Sequence, residues 1–545
     1  MKHVEACYRW TIIGIMGLAA AVFLCFGSRQ PLDYDSFWHV FIARQESWRL
    51  LWHEIQLNAH PPLFFLALRW ITWIAGSSLL VYRAISICAI LISIPLFAEI
   101  VVRITSRRDI AIVAAAAWGL SSGAASIALD VRAYGLGCVF MLAAFLGYVR
   151  WLESVPAKES KKWQFGFTCA ATAAILTNYS SVFFIIGALI TTVALFVLFP
   201  EWHMRLGGGI GRLLLILSKL FAAPMLVGYV LFRVHVKSLP AFGHVMPFLY
   251  NPKTEGLISF FFRTTRSLLD CLLPAQASTA VAFGLGTIMF VGVVLALFGR
   301  RSRMGLHRVT FFLFAIMFGM NVLAAMVGRY PYGGYFRHEL HLFIFLLITI
   351  FVSLDCIRLH LPEKMRTWKV WAAFMAIGVA ANAGFWIKNY EIEELMHSRE
   401  MSAFRKTQGT APAILSDQYT FILFYMNHHE WNWHLMHEDL KQAMWQIWQI
   451  SKPSGESFFL CRSIRWQLDF SQQETYASIH DCLDRTMAPE IAVFRPQQPE
   501  IKPAWKTEET AIYATQFMPD LHLVMKRLHI ENDSIYATFQ NEGRP

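Results

Sequence analysis

HPPLFFLALRWITWIAG, residues 60–76, decides how this chain is threaded. The run is apolar, but it sits at the bottom of the ~17–25-residue range of a spanning helix and contains Arg69. If it spans, RITSRRD (103–109) falls on the outer side and the charge bias of every later loop inverts. If it lies in the outer interface, as an amphipathic helix opened by Pro61 and Pro62, the basic loops fall inside throughout. The second reading is adopted, and it makes 28–77 a long outer segment.

Composition supports a membrane setting. The 545 residues are 56% hydrophobic and 16% charged, with mean hydropathy +0.43, whereas a soluble chain carries about 25% charged residues. Apolar runs near 10–27, 79–102, 110–128, 134–151, 163–178, 181–199, 213–231, 277–299, 309–327, 340–357 and 370–386 predict about eleven spans. The amino terminus is then cytoplasmic. Inner segments hold Lys2 and Arg9; Arg103, Arg107 and Arg108; Arg150, Lys158, Lys161 and Lys162; Arg205 and Arg212; Arg300, Arg301, Arg303 and Arg308; and Arg358, Lys364, Arg366 and Lys369. The short outer segments are poorer in such residues, as the positive-inside rule requires. The net charge of +11 is therefore membrane-flanking charge, and nucleic acid is not an expected partner. The first apolar run shows no small-residue cleavage site and reads as an uncleaved helix.

A second long outer segment covers 232–276, with RTTRS (263–267) among aromatics. Beyond 387 long apolar runs stop, and 387–545 reads as an extracytoplasmic α/β domain following a transmembrane domain over 1–386. Cys461 and Cys482 both fall there, so a disulfide is permitted. The nine cysteines show no CxxC spacing. A metal is not expected: HHEWNWHLMHE (428–438) has four histidines but no zinc-motif pattern. GGGIG (207–211) lacks the strand and Lys-Ser/Thr of a phosphate loop and reads as a linker.

The chemistry-bearing residues gather at outer ends of spans. PLDYDSFWHV (31–40) follows the first span with Asp33, Asp35 and His39. Read as one helix, 33–52 places Asp35, His39, Ile42 and Glu46 along one side. The acids could be solvated loop charge, an ion or proton site, or the catalytic end of an enzyme. The same face collects His60; Asp130 and Arg132 in LDVRAYGL; Asn178 and Tyr179 in LTNYSS; and Arg329, Arg337, His338 and Glu339 in GRYPYGGYFRHEL. Charges this near lipid are costly unless paired or in a wet cavity. Asp130 and Arg132 could be a mutual ion pair, Arg337 and His338 could snorkel to headgroups, and Asn178 could be an interhelical hydrogen-bonding residue.

The ordered set DSFWHVFIAR (35–44), NAHPPLFF (58–65), VYRAIS (81–86), DVRAY (130–134), TNYSSVF (177–183) and RYPYGGYFRHELHLF (329–343) resembles the GT-C glycosyltransferases. Within them it is most similar to the branch of bacterial protein O-mannosyltransferases and lipid A aminoarabinose transferases. The resemblance implies an all-α polytopic GT-C fold, with transfer of a sugar from a polyprenyl-phosphate donor at the outer face of the cytoplasmic membrane. It implies Asp35 as the catalytic acid of the first outer loop, although Ser36 stands where relatives carry Glu. His60 stands where aminoarabinose transferases carry a phosphate-contacting Lys.

Attack of an acceptor hydroxyl on an anomeric carbon needs a base to take its proton, a role a carboxylate can fill. The phosphate leaving group needs cationic donors. His60, Arg132, Arg337 and His338 are the expected donor-phosphate residues. Asp33, His39, Asp130, Tyr134, Asn178, Tyr179, Arg263 and Arg266 are expected to support them. A multi-pass transporter or lipid flippase is the competing reading, but transporters place ionisable groups near the midplane and here they lie at outer ends. The sugar and the acceptor are not encoded in any readable motif.

Overall fold

A computed structural model describes residues 2–360 except 29–31, 33, 46, 59, 156, 158, 237–247, 254, 273–277, 299–304 and 334–335, together with eight strands between 413 and 541. The chain divides into two compact units, Met1–Gln30 with Trp38–Lys388, and Pro31–Phe37 with Asn389–Pro545.

The first unit is helical. The long helices are α1 (Lys2–Gly27), α5 (Leu79–Thr105), α8 (Tyr134–Ser154), α9 (Ser160–Thr177), α10 (Ser181–Leu198), α12 (Ile210–Val234), α14 (Ser278–Phe298), α15 (Gly305–Met326) and α16 (Leu340–His360). Between them lie the shorter α2 (Tyr34–Ala43), α3 (Trp48–Leu57), α4 (Pro62–Ala75), α6 (Arg108–Gly119), α7 (Ser122–Leu129), α11 (Pro200–Arg205) and α13 (Leu257–Leu272). Among the described residues seven helices are long and apolar enough to cross a membrane, and eight if the pair α6 and α7, bent by 50°, is one span. This is the architecture of a multi-pass membrane protein. Ten of the eleven expected spans coincide with helix, and the eleventh, 370–386, lies outside the described residues.

HPPLFFLALRWITWIAG forms α4, fourteen residues long with Pro61 as N-cap and Pro62 in the first turn. At 1.5 Å per residue it is about 21 Å long, short of the ~30 Å a hydrocarbon core demands. Its Phe64, Phe65 and Leu68 are buried, while Trp70, Trp73 and Ile74 are exposed. Arg69 does not reach outward. Its guanidinium donates to the carbonyls of Ala43 (3.2 Å) and Gln45 (2.5 Å), the positions where a helix leaves carbonyls without partners. This explains a departure from the sequence reading: 33–52 is not one helix but α2 and α3, parted at 44–47.

The core of the bundle is a continuous apolar cluster drawn from nearly every long helix, with Trp118, Phe145, Tyr148, Trp151 and Phe345 fully enclosed. Arg83, 1% exposed, joins three helix ends: it donates to Gly27 O at the end of α1 (2.7 Å) and to Leu129 O at the end of α7 (2.6 Å). The break between α6 and α7 is held by Ser121, whose hydroxyl accepts the Ala124 N–H (3.0 Å). GGGIG makes the turn into α12, with Gly207 and Gly208 at φ +99° and +72°, where side chains are strained.

In the second unit the strands are β1 (Ala413–Ser416), β2 (Asn432–Leu435), β3 (Trp448–Ser451), β4 (Phe458–Ser463), β5 (Trp505–Lys506), β6 (Thr510–Ala514), β7 (Leu523–Glu531) and β8 (Ser534–Asn541). Six form a sheet in the order β2-β3-β1-β4-β6-β5, in which β1 and β4 are parallel, and β7 and β8 form a hairpin. Among the described residues this region contains strands alone. Cys461 lies in β4 and His434 in β2, whereas Cys482, His428, His429 and His437 lie outside the described residues.

Candidate functional site

One end of the bundle gathers residues from segments far apart in sequence. The helix ends there are those joined by Arg83, with the starts of α8, α10 and α16. His39 comes from α2, His60 precedes the α4 N-cap, Tyr134 opens α8, and His338 lies in the turn before α16. Their rings form a row. His39 and His60 are 5.0 Å apart between centroids, His60 meets Tyr134 edge-on at 5.1 Å, and Tyr134 lies 6.4 Å from His338. His39 also stacks on Phe65 at 5.1 Å, so an apolar wall from α4 backs one end of the row.

Arg132 flanks the row, two residues before Tyr134, and its side chain is 3% exposed. Asp130, in the same turn, faces it at 3.7 Å, so the mutual pair foreseen from DVRAY exists. A guanidinium this deeply withdrawn from water favours anionic company. Arg337 and His338, adjacent to each other in sequence, are half-buried in the turn that leads into α16. That turn packs closely: Phe336 lies against Gly123 of α7, where a Cβ would fall 2.2 Å from the ring.

Tyr179 reaches a partner that the sequence reading did not single out. Its hydroxyl is 2.5 Å from Nδ1 of His235, at the end of α12. Burial lowers the His235 pKa, opposed by the nearby carbonyls of Asn58 and Ile55. Burial also raises the Tyr179 phenol above its ordinary value. Asn178 serves its own turn, its side-chain oxygen accepting the Ser180 N–H at 3.1 Å, and α8 presses on it through Gly137.

Arg263 on α13 is tied to Glu255 at 2.5 Å and is substantially exposed. Arg266, one turn on, is exposed as well. The backbone of Asp35 lies in α2, four residues before His39, and its side chain is outside the described residues, as is Asp33 altogether. Among the described residues no three His, Cys, Asp or Glu side chains come together as a metal site would need.

Glu339 is the other group that sequence pattern undervalued. It is fully buried, accepts the Gly333 N–H at 2.9 Å and the Asn321 amide at 3.2 Å, and burial pushes its pKa up to about 8 against those two hydrogen bonds. Asn321, an amide inside the apolar run of α15, was its legible signal.

No protein-family model matches the sequence, and no curated protein matches it significantly. Solved structures do. ArnT from Cupriavidus metallidurans in the apo state superposes with a TM-score of 0.53 at 11% identity, over 93% of this chain and 98% of that one. The same protein bound to undecaprenyl phosphate gives 0.47 at 11% identity, over 92% and 97%. The S. cerevisiae protein O-mannosyltransferase Pmt1-Pmt2 complex bound to the sugar donor gives 0.34 at 13% identity, covering 45% of this chain and only 35% of that one. The chain thus shares the fold of apo ArnT.

Proposed function

We propose that the chain is a membrane glycosyltransferase that moves a sugar from a polyprenyl-phosphate donor to a lipid, glycan or protein acceptor at the outer face of the cytoplasmic membrane. The observation that carries this reading is the row His39, His60, Tyr134 and His338 beside the buried Arg132, at one end of a bundle with the fold of apo ArnT. ArnT is itself a protein that binds undecaprenyl phosphate. In this reading the amino terminus is cytoplasmic and residues 387–545 are extracytoplasmic.

The donor phosphate lies against Arg132, Arg337, His60 and His338. Arg offers planar paired contacts to phosphate oxygens, and a histidine can donate to them from a ring N–H. The acceptor oxygen attacks the anomeric carbon as the bond from that carbon to the phosphate oxygen breaks, and polyprenyl phosphate leaves with the bonding pair. Asp35 takes the hydroxyl proton of the acceptor. Its support is the position on α2 one turn before His39, together with the loop acid of the resembling family. Phosphate leaves readily, so no strong general acid is required, and a single displacement inverts the anomeric centre. The prenyl chain lies along the exposed apolar helix surfaces below the site.

The test is Asp35→Asn in membranes supplied with a polyprenyl-phosphate sugar. Loss of a general base lowers transfer by about 10²–10⁴-fold, while donor binding stays. Transfer at the unaltered rate removes Asp35 from the role.

A further inference from the structure

The turn before α16 delivers Arg337 and His338, and described residues on both sides of them are hydrogen-bonded. Its backbone is fastened from beneath. Glu339 Oε1 accepts the N–H of Gly333, six residues earlier, so one carboxyl brackets the segment that contains Arg337 and His338. Glu339 Oε2 accepts from Asn321 on α15, which fixes that bracket to the bundle. Gly333 has φ +82°, a conformation that places its N–H there at no steric cost for glycine.

His338 is fastened through its carbonyl. That carbonyl accepts from the Tyr330 hydroxyl at 2.9 Å and from His341 Nδ1 at 3.1 Å. A carbonyl can only accept, so His341 carries its proton on Nδ1, and Nε2 of the neutral ring is an acceptor. The Asn321 amide nitrogen, 3.0 Å from that Nε2, supplies the matching donor. Asn321 therefore spans Glu339 and His341, and Phe183 stacks on His341 at 5.2 Å to close the network from α10. Glu339, Asn321 and His341 are each at most 1% exposed. In a network so enclosed each polar contact counts for more than in water; both Glu339 oxygens and both His341 nitrogens are partnered here, while Asn321 Oδ1 has no hydrogen bond among the described residues.

We propose that Glu339 is the positioning residue of the donor site, bracketing Gly333 to the root of α16 so that Arg337 and His338 meet the phosphate of a polyprenyl-phosphate donor. The donor part rests on the function proposed above; the bracket itself does not. Glu339 touches no substrate and acts through the loop it holds.

The experiment uses the full chain in nanodiscs, with undecaprenyl phosphate as the probe for binding and amide hydrogen exchange over 329–339 as the probe for the bracket. Glu339→Ala leaves the buried Gly333 N–H without an acceptor, and is expected to weaken binding by about tenfold or more while exchange in the loop accelerates. Glu339→Gln keeps an acceptor oxygen for Gly333 but turns an amide nitrogen toward the Asn321 donor, and is expected to bind better than Glu339→Ala, with loop exchange closer to that of the unaltered chain. Unchanged binding and exchange in Glu339→Ala would overturn the proposal. So would a Glu339→Gln chain no better than Glu339→Ala, which also decides the matter if the alanine variant does not fold. If the unaltered chain binds no undecaprenyl phosphate, the donor reading falls, and the exchange comparison still upholds or overturns the bracket.

Discussion

The two ends of the helical bundle differ in how many of their charged groups water can reach. The end bearing Lys2 and the start of α15 carries mostly ion pairs that water can reach: Glu5 with Arg9 and Arg108, Glu99 with Arg103 and Arg150, and Glu201 with Arg308; the exception is Asp355, buried between His307 and Arg358. The opposite end places its charges under cover. Arg83 and Arg132 are at most 3% exposed there, as is the Glu339 carboxyl, whose pKa is pushed up to about 8; Arg83 donates to backbone carbonyls and Glu339 accepts a backbone N–H. Half-exposed pairs can be exchanged at small cost, whereas a buried charge fixes its surroundings or destroys them.

The sharpest way to break this contrast is Arg83→Leu. It leaves the carbonyls of Gly27 and Leu129 without their buried donor, and is expected to destabilise the chain by about 2–4 kcal/mol, read as a lower unfolding midpoint in detergent. A loss below that of a surface pair would show that the covered end is not special. The next effect depends on pH. Glu339 has its pKa raised to about 8 from an ordinary 4.5, so between those values the folded state holds a proton that the unfolded state has released. The stabilisation is complete below about pH 4.5 and is lost as pH rises through about 8. Protection of the 329–339 amides, after division by their intrinsic base-catalysed rates, should therefore fall across that window, and Glu339→Gln should remove that fall. The smallest effect belongs to the other end. Glu99→Gln should cost no more than about 1 kcal/mol, and less in high salt. A larger loss in a thermal titration would erase the contrast between the ends.

Much of the fold was legible because hydropathy and loop charge act on whole segments. The short length of HPPLFFLALRWITWIAG, its two prolines and Arg69 marked α4 as a non-spanning helix, and it is fourteen residues long. The break between α2 and α3 was not legible, since the cap that ends α2 comes from Arg69, in another helix. The candidate site was legible in its charged turns: DVRAY contains the pair Asp130–Arg132, and His60 and Tyr134 meet in the ring row. His235 and Glu339 were harder to find. One becomes notable only through Tyr179, some fifty residues earlier in the chain, and the other only because two distant N–H groups converge on it. Periodicity reports which face of an element is apolar, but not which buried polar group closes a network.

Arg83 also imposes an order on biogenesis. Its two backbone acceptors lie 56 and 46 residues away, one before it and one after. While synthesis proceeds from the amino terminus, the guanidinium can find Gly27 as soon as α5 is made, but Leu129 does not yet exist. The covered end cannot close until the bent pair α6–α7 has been inserted and its last carbonyl delivered. A chain interrupted before that point carries a half-satisfied arginine at a helix end, a local signature by which quality control could tell an unfinished bundle from a finished one.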